Sequence, residues 1–331
     1  MNNIKKIGMT ALAASLVSTS VFAGELTASG SASITVEGYS GSTLQSNTAY
    51  SMGDSVVLSG STELDNGMTV SMSFELDSDN QSTSSSYDDE SVTISSDALG
   101  TIKFSGHGGS SATSAIDATA AGNIYDNFDG TAGDGSGNGL TSNGVALLAA
   151  AAGDNNIYYT LPAMVDGLAV NASLNTAGAT GNNALGFNMT YTGVEGLSVS
   201  YGQADINTGV STTEGDQTVM NASYAYGPVT VSYTNSDYDT GAANTRALAQ
   251  EVTSYAVSYT VSDAISLTYG TETIESGLST EIDAEYEGVS VAYTAGGMTV
   301  TVKSQEAENI NHTTATNEDY DYWSLGLSFA F

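Results

Sequence analysis

Two histidines, no cysteine and 37 carboxylates define the chemistry open to this chain of 331 residues. His107 and His312 lie in polar stretches, with no HExxH spacing and no serine set in a recognisable nucleophile motif. Covalent catalysis needs a base held beside a nucleophile, and a zinc centre needs three or four ligands on a rigid frame. The sequence presents neither, so the chain is expected not to be an enzyme. Without cysteine there is no disulfide framework and no thiolate metal site. The carboxylates remain. Asp77-Ser-Asp79 and Asp237-Tyr-Asp239 place oxygens two residues apart, a spacing that hard cations such as Ca²⁺ or Mg²⁺ accept. Neither pair continues into a full twelve-residue calcium loop, so Asp77, Asp79, Asp237 and Asp239 are expected at most to bind such ions loosely, at acidic loops. No other cofactor is expected. Five basic residues exclude nucleic acid as a partner, because phosphates need cations opposite them.

The N-terminus bears on compartment. Lys5 and Lys6 precede an apolar stretch from Ile7 to Phe22, and Val21-Phe22-Ala23 places small residues where a signal peptidase reads. Residues 1–23 are therefore expected to be a cleaved secretory signal, their apolar run being too short to span a bilayer as a helix. In residues 24–331 only Lys103, Arg246 and Lys303 oppose all 37 carboxylates.

The elements that must carry these side chains are strands. Val70, Met72, Phe74 and Leu76 alternate with Ser71, Ser73, Glu75 and Asp77; Ile265, Leu267 and Tyr269 alternate with Ser266, Thr268 and Gly270. Period two makes one apolar and one polar face. Tight turns at Asp65-Asn66-Gly67, Gly227-Pro228 and Gly296-Gly297 alternate with long stretches of Ser, Thr, Asn, Asp and Gly. Eight such hairpins give about 16 strands. Tyr159, Tyr191, Tyr224, Tyr259 and Tyr293 close successive strands at spacings of 32, 33, 35 and 34 residues, as an interfacial girdle would.

Charges follow the same parity. Glu63, Glu75, Asp77, Lys103, Glu272, Glu281, Asp283, Glu285 and Lys303 are assigned to the polar, inward face. The apolar parity carries no charge within the lipid-facing stretch, where one would cost up to ~2–4 kcal/mol. Asp205 and Asp321 fall at strand ends, beyond the hydrocarbon. Between Tyr286 and Val289 the apolar parity flips, which predicts a bulge near Glu287-Gly288; a turn there would make eighteen strands, two of them too short to span. A sheet in lipid cannot keep an open edge. The fold class is thus all-β, a transmembrane antiparallel β-barrel of about 16 strands enclosing a hydrophilic lumen. After Phe104 no clear strand resumes until Asn155, and a loop of that length, 106–154, is expected to be functional.

These features together resemble the Gram-negative general porins, in the style of the alphaproteobacterial ones, over the whole precursor. The closing strand, Tyr322-Trp323-Ser324-Leu325-Gly326-Leu327-Ser328-Phe329-Ala330-Phe331, and Asn156-Ile157-Tyr158-Tyr159 to Pro162 carry the likeness most specifically. The resemblance implies an outer-membrane homotrimer among lipid and lipopolysaccharide, passing small hydrophilic solutes. It implies delivery by the barrel-assembly machinery through Trp323, Phe329 and Phe331, and a third loop folded into the lumen as a constriction. In that family loop carboxylates face a basic cluster on the wall. Here Asp117, Asp126, Asp129, Asp134 and Asp154 supply the acidic side, whereas only Lys103 and Lys303 point inward as bases. Cation preference is the expectation. A solute-specific channel with Tyr158 and Tyr322 as an aromatic track, a barrel enzyme and a soluble acidic adhesin are the alternatives.

Overall fold

Alternation in the sequence becomes an uninterrupted antiparallel wall in the structure. The computed structural model describes residues 26–41, 48–77, 89–128, 155–176, 183–206, 215–240, 250–275, 282–310, 312 and 319–331; residues 1–23 lie outside that set. The strands are β1 (Leu26–Gly41), β2 (Thr48–Glu63), β3 (Thr69–Asp77), β4 (Glu90–Ser96), β5 (Gly100–His107), β6 (Asn156–Thr160), β7 (Leu168–Thr176) and β8 (Asn183–Tyr191). They continue with β9 (Leu197–Ile206), β10 (Gly215–Tyr226), β11 (Val229–Thr240), β12 (Gln250–Ser262), β13 (Ile265–Glu275), β14 (Ala284–Ala295), β15 (Met298–Glu308) and β16 (Tyr320–Ala330). Among the described residues a 3-10 segment, Ile124–Phe128, lies in the long connection between β5 and β6.

Each strand pairs with its chain neighbours, and β1 closes on β16 from Ser31↔Ala330 to Gly41↔Tyr320. The ends of the wall are clasped by Gly30 and Phe331, whose N–H groups each donate to the other's carbonyl at 2.7 and 3.0 Å. No sheet edge remains to be satisfied. The short turns need residues free to adopt positive φ: Gly227 (58°) and Gly296 (61°) sit in hairpin connections at a backbone conformation that L side chains rarely adopt.

The outer face carries an exposed apolar band that includes Met72, Val92, Phe104, Phe187, Met189, Val231, Val257, Leu267, Val291, Val302 and Leu325. Such a band would be an aggregation liability in water and is what the hydrocarbon of a bilayer accepts. Tyr191, Tyr224, Tyr259 and Tyr293 stand exposed at its short-turn side.

Two expectations are corrected. The predicted bulge near Glu287-Gly288 does not form: β13 and β14 run in unbroken register, Tyr269↔Val289, Gly270↔Gly288, Thr271↔Glu287 and Thr273↔Glu285. Tyr286 breaks the outward apolar pattern because it points into the barrel, where it packs on Phe128 at 5.9 Å between ring centroids. Second, the inward face is not polar throughout. Val252, Ile274, Ala284, Tyr286, Ala307, Tyr320 and Tyr322 form the buried core together with Ile124, Tyr125 and Phe128 of the inserted loop. Among the described residues the larger buried cluster thus lies inside the barrel, and its purpose is to hold a loop.

Candidate functional site

The loop begins at Gly108 and can be followed inside the barrel to Phe128. Its first anchor is on β7 and β8. The Ala112 N–H donates to Ser173 Oγ at 2.7 Å, and Asn188 Nδ2 donates to the Ala112 carbonyl at 2.6 Å and to the Tyr158 hydroxyl at 3.2 Å. Further on, the Ala121 N–H donates to Ser254 Oγ on β12 at 3.0 Å. The Tyr125 N–H donates to Glu272 Oε2 on β13 at 3.0 Å, and Asn127 Nδ2 donates to Gln305 Oε1 on β15 at 2.8 Å. Phe128 ends the described run among Tyr286, Tyr322 and Tyr39, with ring centroids 5.9, 6.2 and 6.4 Å away. Behind it the Tyr322 hydroxyl donates to the buried Glu37 Oε2 at 2.8 Å. The loop therefore crosses from β7 to the β16–β1 seam, each anchor matched to an inward-facing strand position.

These contacts are consistent with the local sequence. Within the loop, Ser111, Thr113 and Ser114 satisfy one another and nearby backbone groups, and the Thr119 hydroxyl accepts from the Asn123 N–H at 2.7 Å. Apolar Ile116, Ile124 and Phe128 turn toward the wall and are buried, while Asp117 and Asp126 are exposed on the other side. A loop in water would show no such sidedness. Inside the barrel it buries its apolar half against the core and presents carboxylates to the open lumen.

Among the wall residues assigned inward, Glu63, Glu75 and Asp77 share the face of Ser59, Ser61 and Ser73, and Lys103 lies opposite Tyr158 and Thr93. Lys303 sits between Ser290 and Ser324. Glu75, Asp89, Lys103 and His107 come together around a small cleft of about 120 Å³ where the loop leaves the wall. Glu272 also points inward, yet it is 1% exposed and serves the loop rather than the lumen. Glu285 is a correction: with β14 in continuous register it shares the outward face of Val289 and lies opposite Glu308. Asp283 precedes β14 and is exposed. Glu281, Asp129, Asp134, Asp154 and Asp79 lie outside the described residues. Of the proposed aromatic track, Tyr322 is buried against Phe128 and is not available to a solute; Tyr158 alone faces inward part-exposed. Trp323 and Phe329 point outward on β16, and Phe331 is exposed at the seam. Among the described residues no three His, Asp or Glu side chains are grouped closely enough to hold a metal ion.

Sequence reasoning missed two features. One is the set of wall residues that receive the loop, above all Gly202, Gly270 and Gly288. The other is a belt of carboxylates on the outer face at the long-loop end. Asp205 lies opposite Asp216, Asp237 opposite Glu251, and Glu251 opposite Glu275. Further round, Glu285 faces Glu308, Glu287 faces Glu306, and Glu306 faces Asp321. Asp54, between Met52 and Val56, also faces outward, contrary to the expectation of an uncharged parity. These residues stand eight or more positions from the short turns, about 27 Å along a strand at ~3.4 Å per residue. With strands tilted by ~35–45° they lie near the upper limit of a ~25 Å apolar band, where headgroups begin. The alternation of acids in Asp237-Tyr-Asp239 and Glu285-Tyr-Glu287 was the available signal.

The fold and its inserted loop define a class: transmembrane barrels whose lumen is narrowed from within. The sequence matches the Gram-negative porin family model over residues 8–277, and the chain belongs to that family. Among solved structures the fold is similar to an anion-selective porin from Comamonas acidovorans, at 15% identity and a TM-score of 0.66 over 93% of this chain and 100% of that one. It is similar to OmpF of Salmonella typhi in complex with daunomycin, at 15% identity and 0.65 over 93% and 98% of the two chains. A loop L8 deletion mutant of OmpT, an outer membrane protein of Vibrio cholerae, aligns at 15% identity and 0.63 over 93% and 99%. A search of curated proteins finds no match. Family and fold make the protein an outer-membrane channel for passive diffusion of solutes.

Proposed function

We propose that this channel prefers cations. The observation that carries the reading is that Asp117 and Asp126 stand exposed on the lumen side of the inserted loop, while Lys103 and Lys303 are the sole lysine or arginine side chains among the described residues. Carboxylates beside a narrow, low-dielectric neck concentrate cations and repel anions. Fold does not decide the sign, since an anion-selective porin shares it; the side chains on the loop and on the opposite wall do. Asp129, Asp134 and Asp154 add to the same field, with Glu63, Glu75 and Asp77 on the wall.

The reading extends to assembly. Residues 1–23 are removed on export, the barrel is delivered through its C-terminal strand with Trp323, Phe329 and Phe331 as the recognised aromatics, and three copies associate in the outer membrane among lipopolysaccharide. Ca²⁺ or Mg²⁺ bridges acidic positions at the loop end without a dedicated cage; the directly opposed carboxylates of the outer belt favour this over binding at isolated Asp-x-Asp pairs.

Reversal potential in a planar bilayer under a KCl gradient tests the selectivity. The potential should drive toward the K⁺ equilibrium value, and Asp117→Asn with Asp126→Asn should move it toward zero. A potential of the Cl⁻ sign in the wild-type protein would refute the reading.

A further inference from the structure

Inward positions on a barrel wall are mostly occupied by side chains that keep a crossing loop at a distance. Along this loop's path the wall is bare at three points. A Cβ at Gly202 on β9 would lie 2.9 Å from Ile116 Cδ1, and one at Gly288 on β14 would lie 2.8 Å from Gln305 Cγ and 3.3 Å from Ile124 Cδ1. At Gly270 on β13 the approach is closest. A Cβ there would meet the Ala121 Cβ, at a separation no pair of carbons tolerates, and the Ala121 Cα at 3.0 Å. The obstacle at Gly202 is the far end of a flexible side chain, whereas at Gly270 it is a methyl carbon that cannot rotate away, fixed to loop backbone just behind it. None of the three adopts a positive φ, so backbone conformation does not require glycine at them.

We propose that Gly270, flanked by Gly202 and Gly288, is a positioning residue that sets the aperture of the channel. Its missing side chain lets the middle of the loop lie against the wall, held on one side by the Ala121 N–H bond to Ser254 and on the other by the Tyr125 N–H bond to Glu272. Two methyl carbons need about 3.5–4.0 Å between them, so a methyl group at 270 displaces Ala121 by roughly 1 Å or more. The displacement has one direction available, toward the lumen, and it carries the exposed carboxylate edge of the loop with it. Pore width is therefore encoded in the wall behind the loop as well as in the loop's own charges.

This inference rests on the channel reading, and the test separates the two. Single-channel conductance is measured in planar bilayers for the wild-type protein, Gly270→Ala, Ala121→Gly and the double variant. The size cut-off is measured with graded uncharged polyethylene glycols. Folding of each is checked by heat-modifiable mobility in detergent. Gly270→Ala should conduct about 1.5-fold less or lower still, since flow through a short neck follows its open area, and should exclude smaller polymers. Adding Ala121→Gly should restore both values. Conductance equal to wild type in Gly270→Ala, or a loss that Ala121→Gly does not restore, overturns the seat. Should Gly270→Ala fail to fold, Gly202→Ala with Ile116→Val makes the same comparison at the softer contact. A wild-type protein with no conductance would defeat the channel reading itself.

Discussion

Glu272 is a carboxylate that serves the inserted loop rather than the open lumen. Its parity marked it as a lumen charge, but it is buried and accepts the Tyr125 N–H at 3.0 Å. Its stabilising work is local, because the bond joins loop to wall rather than strand to strand. Glu272→Leu leaves that N–H buried without an acceptor, at a cost of about 1–3 kcal/mol, whereas Glu272→Gln keeps an acceptor in place. The expected outcome is an open channel with frequent brief closures in Glu272→Leu, near-normal traces in Glu272→Gln, and a barrel melting temperature little changed in either. Single-channel recording beside thermal unfolding in detergent checks this. A large drop in barrel stability would mean that Glu272 supports the wall instead. Phe128→Ala belongs to the same argument: removing a buried ring costs about 3–5 kcal/mol, here charged almost wholly to loop docking, so noise rises while the wall persists.

At the level of elements, the outer face was legible and the inner face was not, for one physical reason. Lipid imposes a uniform demand on every outward position, so the alternation of Leu267 with Thr268, or of Val302 with Lys303, identifies a strand without any knowledge of its neighbours. The lumen imposes no uniform demand. Where the loop crosses, inward residues are apolar, small or buried; elsewhere they are hydroxyls mixed with charges such as Glu75 and Lys103. Tyr286 follows the inner rule and was read by the outer one, which displaced Glu285 by a face and produced a bulge the structure lacks. Glycine in a strand reads as weak propensity, so the seat at Gly270 left no trace until the loop was placed over it. The β14 assignment can be checked chemically because the protein has no cysteine. A charged methanethiosulfonate added to Ser290→Cys should lower conductance, since that residue shares the lumen face with Lys303. The same reagent on Glu285→Cys should leave conductance unchanged. Block at 285 as well as at 290 would restore the bulge.

On the scale of the whole molecule, two opposed demands meet at the outer rim. The wall must stop being apolar where the bilayer ends, and nearly all the charge this chain has is negative. The result is carboxylates set directly opposite one another on adjacent strands, Glu287 with Glu306 and Glu306 with Asp321 among them. Directly opposed like charges lie about 4.5–5.5 Å apart at Cβ, and each such pair is destabilising on a scale of ~0.2–1 kcal/mol. Hydrogen bonds relieve part of this: the Tyr269 hydroxyl donates to Glu287 at 2.8 Å and the Ser40 hydroxyl to Asp321 at 2.9 Å. The remainder must be offset by mobile ions. Barrel stability should therefore rise with salt, most steeply between ~0.01 and 0.1 M, where the screening length falls from about 30 to 10 Å. At equal ionic strength MgCl₂ should stabilise more than NaCl, because a divalent ion can sit between two opposed carboxylates. Glu287→Gln with Glu306→Gln should raise the melting temperature at low salt and flatten its salt dependence. Thermal unfolding followed by far-UV circular dichroism across a salt series distinguishes the cases: a flat wild-type profile would show that the rim carboxylates do not repel one another enough to matter, and a profile equally steep in the double variant would place the repulsion in the lumen instead.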